Sequence, residues 1–280
     1  MMSKKKNQKN QKNAIEGRFK DLLDLDTPTI ITLYGRPGSG KTTITGSLPK
    51  PIFFIDVKDK GWDSLKRAGV KKKDVTIFSI DHFDDLYEAY DYLDDNPSKF
   101  KSVVIDHMTA LQEFAMDKVK DEEGKDQMSQ RMYGIAGSYM KEVISLYKNL
   151  IDHSIIPCFL AEDRTEDGEG EGEDQLMPEV GPAVMPSVAK NLCAASRVIG
   201  HTYLQEKVEK TSNVKVKRTI EYRLRLGPNP YYITKVTRPL GAECPAYLVD
   251  ATFSGINNIV KGIYKASKEP KKAKKKKPKK

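Results

Sequence analysis

LYGRPGSGKTTI, residues 33–44, joins the end of an apolar run to a glycine-rich turn and then to a stretch able to start a helix. Gly35, Gly40, Lys41 and Thr42 fall at the P-loop spacing, a glycine, four residues, then Gly-Lys-Thr. A triphosphate carries dense negative charge. Gly35, Gly38 and Gly40 let main-chain amides turn inward around it without side-chain clashes. Arg36, Pro37, Ser39 and Thr43 complete the loop. A helix starting near Lys41 points its positive end at the same place. The Lys41 ammonium is then expected to reach the β- and γ-phosphates and the Thr42 hydroxyl to bind Mg²⁺. The expected cofactors are ATP and Mg²⁺.

Outward from this loop the chain alternates. TIITLY (29–34), PIFFID (51–56), VTIFSI (75–80), KSVVID (101–106) and IIPCFLAE (155–162) read as strands. Helical segments separate them, with apolar residues at 83, 86, 90 and 93 forming a stripe and MKEVISLYKNLIDH (140–153) the clearest later helix. Near-continuous apolar strands between helices predict an α/β fold with a mostly parallel sheet covered on both faces. Later segments, ASRVIGHTYLQEKV, VKVKRTIEYRLRLG and YYITKVTR, predict antiparallel strands towards the C-terminus. Asp106 closes the fourth strand, where the C-terminal ends of parallel strands share one crevice. It is the natural acidic partner for Mg²⁺, acting through a water. Two strands lie between it and the P-loop strand, which allows another strand to be inserted between them in the sheet.

The chain's 280 residues carry a net charge of +9, and its distribution matters more than its size. Residues 265–280 hold ten lysines and one glutamate, and residues 1–13 hold five lysines and no acid. Taking +9 and +5 from the whole leaves −5 for residues 14–264. The expected organisation is a basic disordered tail (1–13), an ATPase domain (14–264) and a polylysine disordered tail (265–280). The C-terminal run is either a solubilising end or a sequence-blind phosphate contact weakened by salt. No apolar run reaches the length of a membrane span, and the basic N-terminus has no apolar segment behind it. Cys158, Cys193 and Cys244 show no metal-ligand spacing. Reduced thiols and a cytoplasmic location are expected.

Four segments in order resemble the RecA/RadA recombinase superfamily, most of all small phage RecA-like nucleotide-binding and single-strand annealing proteins. They are GRPGSGKTT (35–43), VVIDHMTAL (103–111), RMYGIAGSYMKEVISLYKNLIDHSIIPCFLAEDR (131–164) and YYITKVTRP (231–239), and the likeness spans residues 27–262. The resemblance implies a RecA-like P-loop NTPase core, head-to-tail homo-oligomers with ATP at the subunit interface, and single-stranded DNA as partner. A single-strand binding protein is a further candidate partner, and a phage origin implies the host cytoplasm. Lys235 and Arg238 would act on a neighbour's γ-phosphate, where a cation stabilises transferring charge; the alternative is a pair of solvated strand-edge residues. Glu162 falls where the family senses the γ-phosphate, and could equally be a surface acid closing a strand.

Two departures stand out. The family's general-base glutamate position holds Lys58 in FIDVKDKGW (54–62), leaving Asp56 and Asp59 as carboxylates to position the attacking water. A base must come within about 3 Å of that water, directly or through another. Hydrolysis is therefore expected to be slow. The loop EDRTEDGEGEGEDQ (162–175), matching the second DNA-binding loop, has one basic residue among its acids and reads as mobile, either screening the site or serving as a solvated linker. Lys118, Lys120, Lys125 and Arg131 are candidate phosphate contacts, and Tyr133 and Tyr139 candidate base-stacking residues unless they pack in a core. A kinase would carry a basic lid, a GTPase an Asn-Lys-x-Asp motif and an ABC ATPase a Ser-Gly-Gly signature; none is present. A helicase-like motor or an accessory ATPase, and a scaffold with little hydrolysis, remain as alternatives.

Overall fold

The computed structural model describes residues 29–166, 178–210 and 216–265. The two lysine tails, apart from Lys265, and residues 167–177 of the acidic loop lie outside the described residues. The first half follows the expected alternation: β1 (Ile31–Tyr34), α1 (Lys41–Thr45), β2 (Ile52–Asp56), α2 (Asp63–Arg67), β3 (Val75–Ser79), α3 (Asp85–Asp95), β4 (Ser102–Asp106), α4 (Met108–Glu123), α5 (Gln130–Asn149) and β5 (Ile156–Ala161). A hairpin of β6 (Asp163–Glu166) and β7 (Glu179–Pro182) follows, then α6 (Pro186–Ala195), β8 (Val198–Lys210), β9 (Val216–Arg225), β10 (Lys235–Val236), β11 (Tyr247–Val249) and α7 (Phe253–Val260).

The main sheet runs β11-β9-β8-β1-β5-β4-β2-β3, with β10 beside β8. Strands β1 to β5 and the β1–β8 pair are parallel, and β9, β10 and β11 are antiparallel to their neighbours. This is the mostly parallel, helix-flanked α/β fold with antiparallel strands towards the C-terminus. Strand alternation splits the core in two. Phe53, Ile55, Val103, Ile105 and Phe159 pack under α3, α4, α5 and α6. Ile52, Phe54, Val104, Cys158 and Leu160 face Leu48, Leu65 and the apolar side of α7. Both faces are thus buried, which is why these strands read as continuous apolar runs.

Local chemistry fixes the helix ends. Ser129 caps α5 by accepting from the Met132 amide, and Thr252 caps α7 by accepting from the Gly255 amide. Gly124 ends α4 in the left-handed conformation, at φ 61°. YYITKVTR departs from expectation: within it only Lys235 and Val236 join the sheet. Its first residues bond to the hairpin instead, with the Val180 amide donating to the Tyr231 carbonyl and the Ile233 amide to the Val180 carbonyl. The hairpin also corrects the reading of residue 162 onward as plain loop, since Asp163–Glu166 pairs with Glu179–Pro182. Among the described residues no helix is long and apolar enough to cross a membrane, and the three cysteines are free thiols.

Candidate nucleotide and magnesium site

The P-loop leaves β1 and wraps into α1. Gly38 and Gly40 have φ of 77° and 95°, a region that favours glycine. Gly35 is needed for space as well: a Cβ there would sit 2.3 Å from the Thr202 carbonyl oxygen. The loop is pinned to β8 through Ser39 Oγ and Thr202 Oγ1, 2.6 Å apart. Arg36, Pro37, Gly38 and Thr43 are exposed, whereas Ser39 and Lys41 are buried. Lys41 Nζ donates to the Gly35 carbonyl at 2.6 Å and the Arg36 carbonyl at 3.1 Å. Burial lowers its pKa, opposed by Asp106, Glu162 and Asp163. The ammonium thus sits inside the loop it would share with a polyphosphate.

Thr42 Oγ1 donates to Asp106 Oδ2 at 2.8 Å, bringing the two expected Mg²⁺ residues together. Asp106 is buried, and that burial raises its pKa against the Thr42 hydrogen bond. Gly61 passes so close that a Cβ there would lie 2.4 Å from Asp106 Oδ2. These oxygens, beside a buried ammonium and a loop of inward amides, fit Mg²⁺ and a triphosphate. Between the P-loop strand and the Asp106 strand lies β5, whose Cys158 pairs with Ile31 on one side and Val104 on the other. The inserted strand allowed by the sequence is therefore present.

A family model for the AAA domain matches residues 27–235. The chain belongs to the AAA domain family. Among solved structures it is similar to the KaiC-like protein PH0186 from the hyperthermophilic archaeon Pyrococcus horikoshii OT3, at 13% identity over 70% of this chain and 77% of that one, with a TM-score of 0.39. No curated protein matches the sequence.

The geometry of this AAA domain separates the two carboxylates that the sequence left equal. Asp56 is 5% exposed and lies beside Asp106 in the β2–β4 register. Burial raises its pKa, opposed by the Gly61 and Lys60 amides and the Trp62 indole, so it anchors the 57–62 loop. Its Oδ1 is buried without a hydrogen-bond partner. Asp59 is exposed and lies 2.8 Å from His107 Nε2. His107 Nδ1 accepts from the Ala110 amide at the start of α4, which puts the ring proton on Nε2, facing Asp59. Lys58 instead pairs with Glu113 at 2.9 Å. Alanine at Asp59 is expected to lower ATP turnover about 10²-fold while ATP affinity stays within about twofold. Alanine at Asp56 is expected to lower both, because the loop loses its anchor. Turnover unchanged in both variants, measured by phosphate release, removes the carboxylates as candidate bases.

Glu162 follows β5 directly, close enough to Lys41 to favour its charge, and its amide donates to Thr109 Oγ1 at 3.0 Å. Lys235 and Arg238 lie away from their own P-loop. Lys235 Nζ donates to the Cys193 carbonyl, and Arg238 to the Ala242 and Val236 carbonyls. Of the candidate DNA residues, Lys118 pairs with Asp84 and Glu122, Lys120 with Asp117, and Lys125 and Arg131 with Glu123. Tyr139 packs on Phe83 and donates to Glu122, as the core alternative had it, while Tyr133 is exposed.

Sequence reasoning passed over residues from distant segments. A cavity of about 730 Å³ runs along α1 from Gly38, with Tyr222 and Asp250 on one wall and Ser64 and Arg67 on the other. The Tyr222 ring lies 3.2 Å from where a Gly40 Cβ would be. Beside the loop, His201 is buried and stacks on Tyr232 at 4.4 Å, and burial lowers its pKa to about 4, so the ring is neutral at pH 7. Tyr222→Ala is expected to weaken ATP binding about tenfold, the scale of one aromatic–base contact, and to leave tripolyphosphate binding unchanged. Competition calorimetry with the two ligands checks this; equal weakening of both rules out a base contact.

Proposed function

We propose that this AAA domain binds and hydrolyses Mg²⁺-ATP, binds single-stranded DNA and promotes strand annealing or recombination, as a phage-encoded protein working in head-to-tail oligomers. The observation that carries the reading is the position of Glu162. It stands at the end of the inserted strand, beside Lys41, and the next residue opens the β6–β7 hairpin. A phosphate-dependent shift there would reach the segment that the recombinase resemblance assigns to DNA. The lysine tails add a sequence-blind attraction to phosphates. In an oligomer, Lys235 and Arg238 would leave their own carbonyls to meet a neighbour's γ-phosphate.

A second reading, a nucleotide-set scaffold with little hydrolysis, is favoured by one observation. Lys58, at the family's catalytic glutamate position, is tied to Glu113. The deciding experiment measures single-strand binding and annealing, with and without ATP, for the intact chain, Lys41→Ala and a truncation at residue 264. Annealing that needs ATP and Lys41 supports the recombinase reading. DNA binding that vanishes with the tail and ignores ATP removes it.

A further inference from the structure

We propose that the edge where β3, β2 and β4 begin, opposite the P-loop end of the sheet, binds the phosphate backbone of single-stranded nucleic acid. The partner class rests on the single-strand reading above; the place comes from the fold. Ile52 pairs with both Val75 and Ser102, so the residues preceding these three strands converge. The Lys101 amide donates to the Pro51 carbonyl at 2.8 Å, and Lys50 Nζ lies 3.5 Å from Asp74. Helix α2 leads from the phosphate end, where Arg67 lines the nucleotide cavity, back to this edge ahead of Lys71, Lys72 and Lys73. Residues 49–51, 68–74 and 96–102 hold six lysines and one acid, Asp74. They belong to a region, 14–264, whose net charge is −5. The edge is a local reversal of the domain's own sign.

Few of these charges are neutralised. Lys66 and Arg67 share Asp63 at 3.6 and 3.8 Å, and Lys99 leans over the Tyr92 ring. Among the described residues, Lys71, Lys72, Lys73 and Lys101 are exposed and make no salt bridge. The acids bordering this edge include Asp63, Asp152 before β5, and Asp94 and Asp95 at the end of α3, and Asp94 is engaged by His153 at 2.8 Å. Crowded like charges repel and attract a polyanion. Lysines, unlike a fork of arginines, act as point charges, which suits contact with phosphates in any sequence.

The test compares the full chain with two triple variants, Lys71→Glu/Lys72→Glu/Lys73→Glu and the milder Lys71→Gln/Lys72→Gln/Lys73→Gln. Binding of labelled oligodeoxythymidine is followed by anisotropy across a salt series, with ATP turnover and melting temperature measured in parallel. Each phosphate contact on a single strand contributes about 0.7 to the slope of log K against log salt. The glutamate variant is expected to bind at least about tenfold more weakly near 0.1 M salt and to lose about two from that slope. The glutamine variant falls between, and turnover and melting stay as in the intact chain. Unchanged affinity and slope in both variants overturn the inference and leave the single-strand reading standing. An intact chain that binds no oligonucleotide even at low salt overturns both. Variants that lose binding to phosphatidylserine vesicles but keep oligonucleotide binding overturn it in favour of a membrane surface.

Discussion

Lys41→Ala is expected to lower ATP turnover by about 10²–10³-fold, the scale for removing one preorganised charge from a phosphoryl-transfer site. The ammonium is buried and held by two loop carbonyls, at 2.6 Å from Gly35 and 3.1 Å from Arg36. Its desolvation has already been met in folding, opposed by Asp106, Glu162 and Asp163. Phosphate therefore finds a cation with little water to shed, which strengthens the attraction. Alanine removes the charge and leaves those carbonyls without their donor. Lys41→Arg is not expected to restore turnover, because a planar fork does not fit a pocket built around a point charge. Phosphate release and ATP calorimetry check both variants. Turnover in the alanine variant within about twofold of the intact chain would show that the loop is not the nucleotide site.

Asp106→Asn is expected to weaken the Mg²⁺ requirement curve by about 10–100-fold while stabilising the ligand-free protein at neutral pH. Burial raises the carboxyl pKa of Asp106, and of Asp56 beside it, above the ordinary 3.8. With the folded value raised, the folded chain keeps a proton that the unfolded chain has released. The resulting stability is fully present below the unfolded value, and it is lost as pH rises through the folded one. Above the folded values the intact protein carries two neighbouring buried carboxylates without that compensation. Asparagine removes one charge and retains an acceptor for Thr42 Oγ1. A melting temperature that rises while Mg²⁺-dependent turnover falls is the expected pair of results, followed by calorimetry and a Mg²⁺ titration. A variant that melts lower at pH 7 and keeps the intact Mg²⁺ dependence would contradict the assignment of Asp106 to the metal.

Much of the nucleotide end was legible because its residues are close in sequence. The P-loop needs glycines, a lysine and a threonine at fixed spacing, and the conformations at Gly38 and Gly40 are ones the residue type itself favours. Asp106 was legible from its place at the end of an apolar strand. The choice between Asp56 and Asp59 was not. It depends on burial and on His107, which is 48 residues from Asp59 and doubles as the cap of α4. The late segment YYITKVTR misled because a β-rich composition says nothing of which edge is free. Tyr231 and Ile233 bond to Val180 of the hairpin, and only Lys235 and Val236 reach β8.

The sequence by itself determined the phosphate loop, the alternation of apolar strands with helices and the confinement of excess positive charge to the ends, since each depends on spacing, residue type or simple counting. The tertiary structure alone decided that β5 separates β1 from β4, that Ser39 meets Thr202 across 163 residues, and that Tyr222 walls the cavity beside Gly40. Those contacts follow from strand order and register. A strand's own residues specify that it is buried on both faces, but which neighbour fills each side is settled only when the whole sheet closes its hydrogen bonds together.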